Sequence, residues 1–76
     1  MSVYVYILCS ERNSQYYIGQ TSDLFERINR HNSGYVPATR NALPWKMIWA
    51  CEKNNRSEAM TLERKLKNLN RSRLGI

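Results

Sequence analysis

The sequence predicts an α+β fold with its elements in the order β–β–α–β–α, and three observations carry that expectation. Residues 2–9 (SVYVYILC), 15–20 (QYYIGQ) and 45–52 (WKMIWACE) are short runs rich in β-branched and aromatic side chains, the composition of strands. The stretches DLFERINRHN and EAMTLERKLKNLN instead repeat apolar residues at helical spacing. The polar turn SERN lies between the first two runs, which predicts a β-hairpin.

In the first strand Val3, Val5, Ile7 and Cys9 alternate with Tyr4, Tyr6 and Leu8. If residues 10–13 form a four-residue loop, Tyr6 faces Tyr17 directly across the hairpin. Asp23 is the expected N-cap of the first helix, with Glu26 three residues on as in a capping box. That helix is expected to end near Asn32, where Ser33-Gly34 closes it. Residues 33–44, with two prolines and a glycine, read as a loop with a short helical turn at ATRNAL. In the third strand Trp45, Met47, Trp49 and Cys51 alternate with Lys46, Ile48 and Ala50. The two tryptophans thus share one face and read as core rather than as base-stacking platforms. Asn55 or Ser57 caps the last helix. No repeat or linker interrupts the chain, so residues 1–76 are expected to form one domain.

A chain of 76 residues buries only roughly 60% of the surface its unfolded form exposes, so polar residues on apolar faces are informative. Two such intrusions occur. Counting i, i+3, i+4 and i+7 from Leu24 gives Leu24, Arg27, Ile28 and His31, an arginine and the sole histidine on the face meant for the core. The same count from Ala59 gives Ala59, Leu62, Glu63 and Leu66, which places a carboxylate in the middle of the second inward stripe. A carboxylate there protonates or seeks a cation. It can pair with Arg27, sit at the stripe's edge in water, or bind a metal. For His31, near the end of its helix, interaction with the helix dipole is an alternative to chemistry.

Charge adds direction. The net charge is +6, and it is uneven: residues 1–52 hold five basic against four acidic side chains, residues 53–76 seven against two. A basic final segment points toward a polyanion, most often nucleic acid. Arg40, Lys65, Lys67 and Arg71 are the candidate backbone contacts; Tyr35 is a weaker one. Cys9 and Cys51 lie in apolar runs without metal-ligand spacing, and no leader or membrane span precedes them. Reduced thiols and a cytoplasmic location are therefore expected.

Two tyrosines on one sheet face, an inward Arg and His, and one inward Glu form a coherent set. A single carboxylate suits Mg²⁺, which keeps several waters. A metal together with an arginine is one way to neutralise a phosphodiester in its transition state. Tyrosine can orient or deprotonate a water, although an unperturbed pKa of about 10 makes it a poor base until cations lower it.

The order of these residues resembles the GIY-YIG nuclease domain, named for two strand motifs about ten residues apart and followed by an Arg on the first helix and a Glu on a later one. The first motif stands here as Val5-Tyr6-Ile7, with Tyr4 where the family often has Gly. The second is an intact Tyr17-Ile18-Gly19. Arg27 and His31 match the helix segment, and Glu63 matches the metal-binding Glu. HNSG, Thr39 and Pro44-Trp45 further resemble the small stand-alone bacterial branch and the nuclease subunit of a eukaryotic structure-selective endonuclease. The likeness covers nearly the whole chain.

The resemblance implies a three-stranded antiparallel sheet flanked by helices and one divalent metal, Mg²⁺ or Mn²⁺, held by Glu63. It implies that Tyr6 acts on the attacking water, that Tyr17 positions or protonates around the phosphate, and that Arg27 stabilises its charge. His31 is implied as a proton shuttle or phosphate contact, and Gly19 as a residue leaving room beside the tyrosines. Several relatives carry an Asn some twelve or more residues past the Glu. Counted from Glu63, that place lies at or past Ile76, and Asn68 and Asn70 fall short of it.

Three readings follow. The first is a metal-dependent DNA endonuclease of little sequence specificity acting in repair or recombination, on branched or damaged DNA or with a protein partner supplying specificity. The second is a nucleic-acid-binding module with little or no cleavage. The third is structural, with Arg27 and Glu63 as a buried ion pair and Tyr6 and Tyr17 as sheet packing. A monomer without membrane association is expected.

Overall fold

A computed structural model describes residues 2–74, with side chains as far as residue 69. It contains β1 (Val3–Ser10), β2 (Tyr16–Thr21), α1 (Leu24–Asn32), a 3₁₀ turn (Arg40–Ala42), β3 (Trp45–Lys53) and α2 (Arg56–Leu74). The strands form one antiparallel sheet in the order β2–β1–β3. The expected element order and the three-stranded sheet are both present.

Alternation in β1 divides the core between the two faces. Val3 and Val5 join Ile18 and Ala59, with Ile7, Leu62 and Leu66 packed around them, so α2 covers this face. Tyr6 and Leu8 join Ala42 and Trp45, with Tyr17, Leu24, Ile28, Leu43 and Met47 around them, so α1 and the following loop cover the other. Both helices start as the sequence predicts: Asp23 Oδ1 accepts from Glu26 N at 3.1 Å, and Asn55 Oδ1 from Glu58 N at 2.9 Å. The Glu26 side chain instead pairs with Arg30 at 2.7 Å.

Two expectations need correction. Tyr6 pairs with Gly19, and Tyr17 with Leu8, so Tyr6 and Tyr17 are not directly opposed. The loop comes one residue later than expected, with residues 11–14 rather than 10–13 between the paired Ser10 and Gln15. Ser10 N donates to Gln15 O at 2.8 Å, the Ser10 hydroxyl accepts from the amides of Arg12 and Asn13, and Ser14 takes φ 62°. A two-residue shift in pairing preserves the alternation, so both tyrosines stay on the α1 face. The second correction concerns β3. Ile7 pairs with Trp49 but Leu8 with Met47, so Ile48 is an extra residue in a bulge. The bulge turns Trp49 to the α2 face, where it is 40% exposed, while Trp45 is buried on the α1 face. The tryptophans therefore do not share a face, and only Trp45 is core.

Candidate active site

The site begins with a glycine. A Cβ on Gly19 would lie 2.7 Å from Tyr6 Oη and 3.2 Å from Tyr17 Cε1. The Tyr6 ring therefore leans across the bare backbone of edge strand β2, and its hydroxyl lies over that strand. Any side chain at position 19 would displace it.

Thr21 sets the approach of α1. Its hydroxyl accepts from Asp23 N at 3.1 Å and donates to Asp23 O at 3.2 Å, which tightens the strand-to-helix turn. From that start, Leu24 and Ile28 enter the core and the same stripe carries Arg27 and His31 inward. His31 is only 1% exposed. Its Nε2 lies 3.1 Å from Tyr6 Oη and its Nδ1 lies 2.8 Å from Thr39 Oγ1. Tyr17 packs edge-on against the imidazole with ring centroids 4.7 Å apart, and against Trp45 at 6.4 Å. Asn32 then mimics a strand: its side chain accepts from Trp45 N at 2.7 Å and donates to Trp45 O at 3.0 Å, tying the end of α1 to β3.

The electrostatics follow from this burial. The Tyr6 pKa is pushed up to about 12, first by desolvation and then by neighbouring Tyr17, with a smaller upward push from the Glu63 charge; Arg27 offsets part of the rise. His31 is held below its ordinary 6.5 by burial and then by the cations Arg27 and Arg30. The imidazole is therefore neutral at neutral pH, so burial and the two cations outweigh the pull of the helix dipole on a charged ring. Arg27 carries an unusual atom. Its Nε is fully buried without a hydrogen-bond partner, and Glu26 Oε2 stands 3.9 Å away, beyond hydrogen-bond reach.

Glu63 stands on the other side of the sheet. Gln20, on β2 opposite Val5, donates from Nε2 to Glu63 Oε1 at 2.9 Å, and Lys67 Nζ lies 2.8 Å from Oε2. Gln20 is steadied in turn by Arg56 Nη1 at 3.2 Å from its Oε1. The Glu63 side chain is 18% exposed and lines an open groove of about 410 Å³ with Gln20, Met60, Arg64, Lys67 and Asn68. It thus sits at the edge of the inward stripe rather than in its middle. The ion pair between Arg27 and Glu63 that the structural reading requires is absent among the described residues.

Because β2 is an edge strand, the two faces meet along its open side, and the Glu63 charge still reaches Tyr6. Tyr6, Tyr17, Arg27 and His31 are thus brought together, with Glu63 across the edge. The proposed DNA contacts are more scattered. Arg40 is exposed in the 3₁₀ turn, Lys67 is held by Glu63, and Lys65 lines a separate groove with Lys53, Ser57, Glu58, Thr61 and Leu62. The Arg71 side chain lies outside the described residues. Sequence reasoning missed Gln20 and the contact of Thr39 with His31. The only signal for Thr39 was its place in the loop pattern, and Gln20 had none.

No group of three or more His, Cys, Asp and Glu gathers at a metal-binding spacing among the described residues. A lone carboxylate beside an open groove fits Mg²⁺ or Mn²⁺ completed by water and phosphate oxygens. Lys67 Nζ already rests on Oε2, so a metal there would have to displace it. No described helix is long and apolar enough to cross a membrane.

Comparison with known proteins agrees with the geometry. A family model described as the GIY-YIG catalytic domain matches residues 2–75. A UPF0213 protein of Streptococcus pneumoniae is 44% identical over 66 residues, covering 84% of this chain and 65% of its own length. A UPF0213 protein of Vibrio campbellii is 34% identical over 70 residues, covering 91% and 66%. The chain thus spans about two-thirds of the length of these relatives. A solution NMR structure of a UPF0213 protein from Bacillus halodurans superposes with a TM-score of 0.58 at 33% identity, over 99% of this chain and 80% of that one.

Proposed function

The chain belongs to the GIY-YIG catalytic-domain family, a family of nucleases, and from that premise we propose that it is a divalent-metal-dependent DNA endonuclease of structure-selective or weak sequence specificity. The observation that carries this reading is the placement of Tyr6 Oη over Gly19, beside neutral His31 and near Arg27, on the edge that Glu63 faces from the other side. A phosphodiester lying along that edge meets all four groups.

The residues divide the work as follows. Tyr6 takes a proton from the attacking water. Arg27 binds a phosphate oxygen: its partnerless Nε–H is a buried donor whose desolvation is offset only when an acceptor arrives, and a guanidinium meets phosphate best through two donors at once. Tyr17, braced between His31 and Trp45, positions the phosphate from the neighbouring strand. Glu63, oriented by Gln20, would hold the metal, and Lys67, displaced from it, would contact phosphate. When bound, Mg²⁺ or Mn²⁺ neutralises charge developing on the phosphate oxygens. Arg40, Lys65 and Arg71 contribute backbone contacts that orient the DNA without reading its sequence. A role in repair or recombination, on branched or damaged DNA and with a protein partner for specificity, suits a catalytic domain of this size.

One observation favours the alternative, a binding module that cuts little. Lys67 already neutralises the carboxylate that the metal needs. Incubating the protein with labelled flap, fork, four-way junction and linear duplex DNA in Mg²⁺ or Mn²⁺ separates the two. Cleavage abolished by chelator and restored by metal supports the nuclease. Salt-sensitive binding without cleavage on every substrate supports the module.

A further inference from the structure

Burial makes the hydrogen-bond roles around His31 answerable. His31, Tyr6 and Thr39 are each about 1% exposed, and each ring nitrogen has a protein hydroxyl within hydrogen-bond reach. A neutral imidazole has one donor and one acceptor nitrogen. Thr39, 2.8 Å from Nδ1, and Tyr6, 3.1 Å from Nε2, must therefore play opposite parts.

Both ends favour the same assignment. The Thr39 hydroxyl has an outlet for its own proton in the Val36 carbonyl, 3.4 Å away across the turn, which leaves its lone pairs to accept from Nδ1. At the other end, Arg27 can only donate, and it acts on Tyr6. With Arg27 offering no acceptor, the phenol proton has its acceptor at Nε2, 3.1 Å away. Thr39 is itself held firmly. Trp45 Nε1 donates to its carbonyl at 2.8 Å, its amide bonds to Val36 O at 3.1 Å, and Trp45 is pinned to Asn32.

We propose that Thr39 is a positioning residue that fixes His31 as the Nδ1–H tautomer, so that Nε2 accepts the Tyr6 phenol proton and Tyr6 offers the sheet edge only the lone pairs of its oxygen. The catalytic consequence rests on the nuclease reading above; the tautomer does not. With both nitrogens engaged and the ring buried, His31 has no donor left for a phosphate oxygen, so it serves as a proton acceptor rather than a phosphate contact.

The arrangement also removes a difficulty. With its pKa pushed up to about 12, Tyr6 is not a preformed phenolate at neutral pH and cannot be a base by itself. A relay needs no phenolate. As water attacks phosphorus, its proton passes to Tyr6 Oη while the phenol proton passes to Nε2. A new P–O bond forms, and the bond to the leaving oxygen breaks with its electron pair on that oxygen. Solvent water protonates the leaving oxygen, and the hydroxide so formed takes the extra proton back from His31 through Tyr6.

His31 is the only histidine, so NMR of the full chain labelled with ¹⁵N-histidine reads this tautomer without assignment. The wild type is expected to carry its proton on Nδ1 and a bare Nε2. Thr39→Val moves the proton to Nε2, Thr39→Ser keeps it on Nδ1, and Tyr6→Phe also keeps it there because Thr39 sets the choice. Cleavage by Thr39→Val falls about 10–100-fold, the range for losing a partner that orients a functional histidine in metal sites, and Thr39→Ser recovers it. A wild-type proton on Nε2 overturns the proposal. So does an unchanged tautomer in folded Thr39→Val; should that variant not fold, a proton on Nε2 in Thr39→Ser overturns it equally. The expected tautomers without any DNA cleavage would uphold the positioning role and overturn the nuclease reading alone.

Discussion

The two faces of the sheet are built on opposite plans. The α1 face holds its functional groups in a dry chain of hydrogen bonds, from Tyr6 through His31 to Thr39, with Tyr17 and Trp45 packed alongside. The α2 face presents Glu63 to an open groove through an amide, Gln20, and an exposed lysine, Lys67. Proton transfer depends on angles and distances of tenths of an ångström, which packing can enforce. A site that takes up a metal and a DNA strand has to admit them, which packing would prevent. On the proposed reading, one edge strand, β2, would let a rigid half-site and an adaptable half-site share one ligand.

The comparison breaks first at His31. His31→Ala leaves a cavity and strands the Tyr6 and Thr39 hydroxyls, so urea unfolding should show a loss of about 2–4 kcal/mol. The same measurement on Glu63→Gln should show a change below about 1 kcal/mol, because the amide keeps the shape of the side chain and the lost partner, Lys67, is an exposed one. Equal losses would erase the distinction between the faces.

Gly19→Ala comes next. The Cβ meets Tyr6 Oη at 2.7 Å on a buried ring, and relief requires moving that ring. A loss of about 1–3 kcal/mol is expected, together with a perturbed His31 ring environment by NMR. An unchanged Tm would mean that the ring does not rest on this backbone.

A smaller effect is the pH dependence. His31 has a folded pKa below its ordinary 6.5, so the unfolded chain binds more protons in the interval between the two values. Its contribution to stability is fully present above 6.5 and is lost as pH falls through the folded value. Denaturant midpoints taken between pH 8 and 5 should therefore drop more steeply for the wild type than for His31→Gln. Parallel curves would contradict a buried neutral imidazole.

The smallest change in stability is expected at Lys67. Lys67→Met removes a surface i,i+4 pair and should shift stability by no more than about 0.5 kcal/mol. It should tighten Mn²⁺ binding read by paramagnetic relaxation, since one competitor for Glu63 is gone. Unchanged Mn²⁺ affinity would place the metal away from Oε2.

Much of this division was legible in the residues. Periodicity alone turned Arg27, His31 and Glu63 inward, because helical spacing is insensitive to what lies opposite. The capping residues Asp23 and Asn55 were legible for the same reason: they act within one turn. Long-range pairing was harder. Counting SERN as the loop overlooked Ser10 as a strand residue whose hydroxyl organises the turn, and the left-handed Ser14 that ends the loop in its place. The bulge at Ile48 leaves no mark on a period-two pattern, so Trp49 was assigned to the wrong face. Gln20 and Thr39 are ordinary polar residues whose importance arises only from what the fold sets beside them.

Groups on opposite faces of the sheet are proposed to act on one phosphodiester. Single-turnover DNA cleavage in Mg²⁺ by the wild type, Tyr6→Phe, Glu63→Gln and the double variant tests it most directly. Each single change is expected to slow cleavage by about 10²–10⁴-fold, and the double variant to be little slower than either, because groups serving one step fail together. Cleavage that survives either single change, or losses that multiply in the double variant, would contradict a shared site.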